Sequence, residues 1–255
     1  MIELIIASMD SPRFFCDAPL GPGARLDLPE AVARHAVRVL RLPPGAPLTL
    51  FNGRGGEYPA VITAITRERV TVSISGWEDV ERESPLQLTL VQAIQAADKM
   101  DYTIQKAVEL GISAIQPVAS KRSVVKLSGD RQQKREAHWQ SVVISACEQC
   151  GRNQIPPVTP VQPLDLWLAG PGRPQQDLKL MLAPGAAHSL PQLPPAGRVT
   201  LLIGAEGGLE PNEMKTARLA GFIPVSLGPR ILRTETASLA ALAAIQTLWG
   251  DFKGA

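Results

Sequence analysis

The chain has 255 residues, 45% of them hydrophobic and 20% charged, and its formal net charge is +2. Such a composition is typical of a globular protein, and the length accommodates two domains. A net charge this small does not by itself indicate a nucleic-acid partner, so that question depends on where the charges cluster. The sequence has three cysteines, no recognisable secretory leader and no apolar stretch long enough to cross a membrane. We therefore expect a reduced, cytoplasmic protein without membrane association.

The first part of the sequence predicts a small β-rich domain over residues 1–75. Short segments with period-two alternation, such as PAVITAI and RVTVSIS, are interrupted by one helical segment, EAVARHAVRVLRL. Along that segment Arg34, Arg38 and Arg41 recur at helical spacing, on the side opposite to the apolar residues. We predict a β-barrel-like domain whose helix carries an arginine stripe, followed by a charged linker, GWEDVERESP, over residues 76–85.

From residue 86 the pattern changes to alternating strands and helices, which predicts an α/β domain over residues 86–255. The apolar runs LKLMLAP and VTLLIG are typical of parallel strands that are buried on both faces. Helices are expected to begin near Asp98 and Pro211, and Thr234 or Thr236 is expected to cap the last helix.

Two glycine-containing turns follow apolar strands late in the chain, GAEGG at 204–208 and LGPRIL at 227–232. At the carboxyl ends of parallel strands, such turns bring backbone amides close to a ligand. Neither turn matches the G-x-G-x-x-G motif or the P-loop. One such turn alone would be explained by a local need for glycine. The pair predicts a site for a ligand with a polar amino-acid end and a flat base.

Basic residues cluster in both predicted domains. In addition to the arginine stripe, Arg54 lies in the turn NGRGG, and the segment from Lys121 to Arg135 holds six basic residues and one acid, Asp130. Clusters of this kind bind the phosphates of an anionic polymer, which supply affinity and register. The alternative for the arginine stripe is a solvated helix face.

The cysteines Cys147 and Cys150 have the spacing of redox and zinc motifs. The sequence offers no second pair, and the histidines His35, His138 and His188 are scattered. The two thiols are better explained as small residues one helical turn apart, so we predict no metal site.

Several phrases resemble the bacterial 16S ribosomal RNA uracil-N3 methyltransferases of the SPOUT superfamily, above all HAVRVLRL, KMDYTIQKAVELG, ACEQCGRN, LLIGAEGG and LGPRILRTETA. The resemblance extends over nearly the whole chain. It implies an N-terminal PUA-like RNA-binding domain and a C-terminal α/β domain tied in a deep trefoil knot, whose loops bind S-adenosylmethionine. It also implies a homodimer that acts on small-subunit ribosomal RNA, either naked or in the assembled small ribosomal subunit.

The predicted cofactor-binding residues lie in the two turns, at the end of the neighbouring strand and at the start of the last helix: Leu182, Ala183, Gly204, Glu206, Gly207, Gly208, Leu227, Gly228, Ile231, Leu232, Thr236 and Ala237. The predicted RNA-binding residues are the basic residues outside these phrases: Arg34, Arg38, Arg41, Arg54, Lys121, Arg122 and Arg152.

Arg233 is the predicted catalytic residue. N3 lies on the Watson–Crick edge of uracil, so the base must be unpaired or flipped out. A guanidinium beside the cofactor loop would bond a uracil carbonyl and stabilise the anion that forms when N3 loses its proton. The alternative for Arg233 is a salt bridge to Glu206 or Glu235. No histidine lies in a matching motif, so no general base is assigned.

The last helix, about residues 236–249, combines small residues with more apolar surface than one side of a small domain would bury. With the resemblance, this favours a homodimer that has the helix at or near its interface. Two other functions stay open. One is a SPOUT methyltransferase for a ribose 2′-hydroxyl or a transfer RNA base, and the other is a non-catalytic RNA-binding assembly factor without saturable S-adenosylmethionine affinity.

Overall fold

The computed structural model describes residues 11–123, 128–170 and 177–252. The described residues form two compact units, of which the first comprises residues 11–83 together with Cys147–Ile155 and the second comprises the remainder. The first ten residues, on which the expectation about a leader depends, and Lys126 of the basic segment lie outside the described residues.

The first unit contains a mixed sheet of five short strands. Their alternating sequences place one face in the core, as in β5, where Val70, Val72 and Ile74 are buried and the residues between them are not. The strand order is β1-β3-β4-β5-β2, with β1 parallel to β3 and the other pairs antiparallel. The strands are β1 Arg13–Phe15, β2 Arg25–Asp27, β3 Pro47–Phe51, β4 Tyr58–Ile65 and β5 Val70–Ile74.

The arginine-bearing helix is shorter and less regular than predicted. Helix α1 spans Glu30–Arg34 and continues as one π-helical turn over His35–Val39. Beyond that turn, Arg41 has a φ of 55°, which is uncommon for a residue other than glycine. The wider π turn and the reversal at Arg41 break the helical spacing, so the prediction of one continuous stripe is wrong. All three arginines are nevertheless exposed.

The second unit contains a seven-stranded sheet in which every pairing is parallel, so the prediction of an α/β domain is confirmed. The strand order is β10-β12-β9-β11-β6-β7-β8. The central strands are buried on both faces, which explains their continuous apolar sequences. The strands are β6 Gln87–Ala93, β7 Ala114–Ala119, β8 Gln162–Pro163, β9 Leu178–Leu182, β10 His188–Ser189, β11 Arg198–Ile203 and β12 Ile223–Ser226.

Five α-helices are described in this unit or begin in it, and one 3₁₀ turn spans Leu190–Gln192. Helix α2 buries one apolar face, including Met100 and Ile104, and the chain leaves it at Gly111, whose φ is 77°. None of the helices in the described ranges is both long and apolar enough to span a membrane. The helices are α2 Ala97–Glu109, α3 Gly129–Cys150, α4 Leu164–Ala169, α5 Pro211–Leu219 and α6 Thr234–Trp249.

The last helix begins differently from the prediction. Its N-cap is Arg233, without a side-chain capping bond, and neither Thr234 nor Thr236 caps it. Thr234 is buried, and its hydroxyl bonds the carbonyl of Gly204 at the end of β11 instead. The prediction of a threonine cap is therefore wrong, because a tertiary partner takes the hydroxyl.

Candidate active site and RNA-binding surface

A cleft with a volume of about 390 Å³ lies in the second unit, at the carboxyl ends of β9, β11 and β12. Residues just after each of these strands line it, together with the first turn of α6. Because the strands are parallel, their carboxyl ends meet at one edge of the sheet, and the loops that follow them surround one space. The size and the concave shape are those of a site for a small molecule.

The two turns that the sequence singles out meet in this cleft. All the predicted cofactor-binding residues line it except Thr236, which is exposed. Sequence reasoning missed several further lining residues. Among them are Met214, which comes from α5, and Thr234, and no local pattern marks either of these as part of a site.

The turn 204–208 requires glycine at its first position. A Cβ on Gly204 would lie 2.7 Å from the backbone carbonyl carbon of Gly208, closer than real contacts allow. The turn is closed by the Gly208 N–H, which donates to the Ala205 carbonyl over 2.8 Å, and Gly208 has a φ of 70°. Gly228 in the second turn has a φ of 93°. Both turns thus have backbone conformations that larger residues would disturb.

Arg122 lies at the mouth of the cleft and lines it, although it was predicted to contact RNA rather than to belong to the cofactor site. Its Nη1 donates to the carbonyl of Gly207 over 2.7 Å. The segment that follows β7 therefore contributes a cation to a cleft whose other residues follow β9, β11 and β12. A second cation, Arg230, also lines the cleft.

The carboxylate of Glu206 is held from the side of α2. Its Oε1 accepts the N–H of Ala96, the N-cap of that helix, over 3.1 Å. The Nζ of Lys99 lies 3.8 Å from Glu206 and 3.9 Å from Glu235. Lys99 thus joins a residue of the first turn to a residue at the start of α6.

Arg233 is exposed and does not line the cleft. The alternative role of Arg233 was a salt bridge to Glu206 or Glu235. In the structure, Lys99 and not Arg233 lies next to these two carboxylates. In the described part of the chain, Arg122 and Arg230 are the cationic residues that line the cleft.

A second groove, of about 430 Å³, lies in the first unit between α1 with its π turn and the β4–β5 hairpin. Arg34 and Arg38 line it together with Arg67 and Arg69 of the hairpin turn, and all four arginines are exposed. The signal for the two missed arginines is the sequence RER at 67–69, where the strand-like segments PAVITAI and RVTVSIS meet. Arg41, Arg54 and Lys121 are exposed and do not line this groove.

Arg152 does not fit the prediction of an RNA contact. It is only 5% exposed, and its guanidinium is paired with Glu83 within the first unit. Burial alone would lower the pKa of this guanidinium, but the hydrogen bonds and the charge of Glu83 outweigh burial and raise the pKa. The next residue, Asn153, donates to the carbonyl of Val80 over 2.7 Å. We therefore replace the RNA-binding role of Arg152 with a structural one.

One thiol of the cysteine pair is buried and difficult to ionise. Cys147 is buried, and burial raises the pKa of its thiol to about 12. A thiol that stays protonated at neutral pH is a poor nucleophile and a poor metal ligand. Over residues 11–123, 128–170 and 177–252, no three histidine, cysteine or acidic side chains are grouped to hold a metal ion.

Comparisons with known proteins agree with this geometry. A family model described as an RNA methyltransferase domain matches residues 82–246, and one described as an RNA methyltransferase PUA domain matches residues 28–75. The Ribosomal RNA small subunit methyltransferase E of Buchnera aphidicola subsp. Schizaphis graminum is 34% identical over 241 residues, which are 94% of this chain and 97% of the relative. The protein of that name from Bacillus subtilis is 30% identical over 83% of this chain and 85% of its own length.

Two solved structures share the fold over almost the whole chain. The Ribosomal RNA small subunit methyltransferase E of Neisseria gonorrhoeae, bound to S-adenosyl methionine, is 46% identical with a TM-score of 0.91, covering 95% of this chain and 99% of that chain. A Legionella pneumophila methyltransferase in complex with the same cofactor is 38% identical with a TM-score of 0.90, with the same coverage. The chain belongs to the RNA methyltransferase family that contains the ribosomal RNA small subunit methyltransferases E. The resemblance identified from the sequence is thereby confirmed.

Proposed function

We propose that this chain transfers a methyl group from S-adenosylmethionine to N3 of a uridine in the 16S ribosomal RNA of the small ribosomal subunit. The observation that carries the proposal is the cleft at the ends of β9, β11 and β12, formed by the two turns that identify the family. The Neisseria gonorrhoeae and Legionella pneumophila relatives, which have the same fold, are both bound to this cofactor. An enzyme with this substrate works in the cytoplasm.

The residues of the cleft fit this cofactor. Leu182, Val225 and Leu232 supply apolar surface for a flat base, and the glycine turn lets the backbone approach closely. Glu206 places a carboxylate beside a ligand that carries both an ammonium and a sulfonium group. When bound, the cofactor supplies a methyl group activated by the positive sulfur.

The chain's own task in the reaction is to hold uracil in line and to favour loss of the N3 proton. We assign the charge-stabilising role to Arg122, whose guanidinium is fixed at the cleft mouth by its bond to Gly207. A fixed cation near O2 or O4 of uracil favours the anion from which N3 attacks. Arg233 was the sequence-based choice for this role, and its position outside the cleft lining favours Arg122 instead.

We propose that the RNA binds the groove of the first unit through Arg34, Arg38, Arg67 and Arg69. Further phosphate contacts are proposed for Arg41 and Arg54 of the same unit and for Lys121 of the second unit. Four arginines around one groove, against Glu30 and Glu68, leave the lining net positive, as phosphate binding requires. The domain assignment stays a proposal: RNA binding by residues 1–75, a linker over 76–85 and methyl transfer by residues 86–255. The family matches to residues 28–75 and 82–246 support it. The compact units divide the chain differently, because residues 76–83 and Cys147–Ile155 belong to the first unit.

The knot is proposed from the path of the chain after β12. That strand lies outside β9 in the sheet, but the helix that follows it, α6, packs against α2. Helix α2 connects β6 to β7, on the other side of β11. The chain therefore crosses back over the sheet between β12 and α6, and this crossing supports the proposal of a knot.

A homodimer with α6 at or near its interface is also proposed. The face of α6 that turns away from the core carries small residues, among them Thr236, Ala240 and Ala244, which would let a second copy approach closely. The oligomeric state follows from sedimentation at working concentration.

The activity is tested by incubating the full chain with labelled S-adenosylmethionine and either naked 16S RNA or small subunits, followed by nucleoside analysis. Labelled 3-methyluridine is the expected product, and it would support the proposal. A 2′-O-methylated nucleoside would instead indicate one of the other SPOUT chemistries. If calorimetry detects no saturable cofactor binding, the chain is an RNA-binding protein without catalysis.

A further inference from the structure

Five buried polar side chains form a network that includes Thr234 of the cleft lining, and burial of such groups is costly unless each is hydrogen-bonded. Every one of them has a partner within the set. The sequence marked Thr234 alone among them, and only as a possible helix cap. The residues, with their exposed fractions, are Gln92 (0%), Gln95 (1%), Thr103 (0%), Thr234 (7%) and Ser238 (0%).

The hydroxyl of Thr234 is the centre of this network. It donates to the carbonyl oxygen of Gly204 over 2.6 Å, the shortest bond in the network. The hydroxyl oxygen of Thr234 also accepts hydrogen bonds from the side-chain amides of Gln95 at 3.2 Å and Gln92 at 3.4 Å. Both roles of the hydroxyl, as donor and as acceptor, are therefore used.

The outer members of the network hold the two glutamines in place. The Thr103 hydroxyl, from α2, donates to Oε1 of Gln95 over 3.0 Å. The Ser238 hydroxyl, one turn further along α6, donates to Oε1 of Gln92 over 2.7 Å. The NH₂ group of Gln95 is thus oriented towards Thr234. The NH₂ group of Gln92 donates to the Ala93 carbonyl over 3.0 Å and also lies near Thr234 and the Gly204 carbonyl.

The bond between Thr234 and Gly204 joins the roots of both cleft loops. Gly204 is the first residue of the turn 204–208, and Thr234 follows the second loop directly as the first residue of α6. A peptide unit is planar and trans. When Thr234 fixes the direction of the Gly204 carbonyl, it also fixes the N–H of Ala205, which points away from Thr234. The orientation of the first turn thus depends on one hydroxyl from the end of the second.

We propose that Thr234 is a positioning residue that pre-organises the cofactor cleft by holding its two loops at a fixed separation and orientation. The proposal rests on the proposed function of the cleft. A site that is ordered before the ligand arrives loses less entropy on binding, so the hydroxyl contributes affinity through the loops.

Lys99 makes a second connection between the loops, and its ion pairs are weaker than the hydrogen bond between Thr234 and Gly204. The side chain of Lys99 is 33% exposed, and its Nζ lies 3.8 Å from Glu206 and 3.9 Å from Glu235, without a short hydrogen bond to either. Ion pairs of this kind change an equilibrium by about fivefold at most. Loss of the Thr234 hydroxyl removes the 2.6 Å bond to the Gly204 carbonyl and leaves that carbonyl with the more distant Gln92 amide at 3.5 Å. It also removes the acceptor of the Gln95 amide. Loss of a buried hydrogen bond of this kind changes an equilibrium by roughly 5- to 100-fold.

The test compares Thr234→Val, which keeps the shape and removes the hydroxyl, with Thr234→Ser, which keeps the hydroxyl. Thr159→Val is the matched control, because the Thr159 hydroxyl also donates to a backbone carbonyl of another segment, that of Ile115, away from the cleft. Affinity for S-adenosylmethionine is measured by calorimetry on the full chain. The expected result is a loss of about tenfold or more in Thr234→Val, recovery of most of it in Thr234→Ser and no loss in Thr159→Val.

Two further readouts separate positioning from a general loss of stability. In turnover, the KM for S-adenosylmethionine is expected to rise in Thr234→Val while the KM for RNA stays unchanged. In hydrogen exchange of the free protein, the amides of residues 205–208 are expected to exchange faster, with α5 unaffected. Equal protection of these amides in Thr234→Val and wild type would overturn the proposal.

Failure of the inference and failure of the proposed function look different. If wild type does not bind S-adenosylmethionine, the proposed function fails. If wild type binds and Thr234→Val binds within about twofold of it, only the role of Thr234 is wrong. If Thr234→Val does not fold, Thr103→Val decides, because it removes the outermost bond of the network. A loss of about threefold in its cofactor affinity supports the proposal, and unchanged affinity overturns it.

Discussion

Arg122 and Gly207 are in direct contact at the mouth of the cleft. The guanidinium Nη1 donates to the Gly207 carbonyl over 2.7 Å, and the arginine Cδ lies 3.2 Å from the place where a Gly207 Cβ would be. Glycine at position 207 thus gives the arginine stem its place on the turn. The hydrogen bond to Gly207 restrains this exposed side chain and keeps its charge at the edge of the site.

Arg122→Met is expected to lower kcat by about 100-fold, as removal of one group that stabilises transition-state charge does elsewhere. Calorimetric affinity for S-adenosylmethionine should change much less, because the methionine stem still covers the turn. Arg233→Met, outside the cleft lining, should have a smaller effect on kcat. The control is Arg218→Met on α5. If Arg233→Met lowered kcat more than Arg122→Met, the sequence-based assignment would be restored.

Gly204→Ala is expected to abolish detectable cofactor binding. The added methyl group would lie 2.7 Å from the backbone of Gly208, and backbone atoms in a closed turn cannot move aside without opening it. Gly197→Ala is the matched control, because a Cβ there has no neighbour within 4 Å and Gly197 lies before β11 in the same segment. Circular dichroism and calorimetry on both variants check the prediction, which wild-type affinity in Gly204→Ala would contradict.

The triple variant Arg34→Gln, Arg38→Gln and Arg67→Gln is expected to bind 16S RNA more weakly, regardless of sequence. The slope of log affinity against log salt concentration should fall by about one for each phosphate that the variant no longer binds. Filter binding at several salt concentrations measures both quantities. Arg25→Gln, an exposed arginine on β2 of the same unit, controls for charge alone. An unchanged slope in the triple variant would mean that the groove carries solvated arginines only.

Arg152→Gln is expected to separate structure from RNA binding. Removing the guanidinium leaves the Glu83 carboxylate without its buried partner, so the free energy of unfolding should fall by about 3 kcal/mol. RNA affinity of the folded protein, measured well below its melting temperature, should stay within about twofold of wild type, because the residue is buried. A large loss of RNA affinity with unchanged stability would reinstate Arg152 as an RNA-binding residue.

Glu57 gives the first unit a predictable response to acid. Burial alone would raise the pKa of its carboxyl group, but hydrogen bonds from Arg13 and Arg82 outweigh burial and lower that pKa. A lowered pKa in the folded state adds stability that is fully present above the unfolded pKa of about 4.3 and is lost as the pH falls through the folded value.

Urea unfolding of Glu57→Gln should therefore show a loss of about 2 kcal/mol at pH 7 that shrinks below about pH 4. Glu68→Gln, in the exposed hairpin turn of the same unit, should show little change at either pH. The same loss at pH 7 and at pH 3 would exclude the ionised carboxylate as its source.

The sheet of the second unit and the two cleft loops could be predicted because each depends on residues within its own segment of the chain. A strand buried on both faces, such as β11, needs a continuous apolar run, and the run is visible in the sequence. The turn at Gly204 leaves room for no side chain, and this requirement also appears directly as glycine. Where the residue type is determined by the local backbone conformation or by burial of the strand itself, the sequence pattern predicts the structure.

The remaining features depend on neighbours that are distant in sequence. Arg122 belongs to the cleft because the segment after β7 lies beside the turn after β11, 85 residues later. Thr234 carries the chemistry of an N-cap, but the Gly204 carbonyl takes its hydroxyl. Arg152 has the charge of a phosphate-binding residue and is neutralised by Glu83, 69 residues earlier. The periodicity of the sequence does not indicate which distant residues will become these partners.

The first unit is assembled from two separate stretches of the polypeptide, residues 11–83 and Cys147–Ile155. A gene fragment that stops at codon 83 would encode every strand of its sheet but would leave the Val80 carbonyl without Asn153 and the Glu83 carboxylate without Arg152. A single crossover between two genes could not transfer this unit alone, because residues 84–146 of the second unit lie between its two stretches. For protein engineers, a chimera that exchanges the RNA-binding module must carry the second stretch with the first.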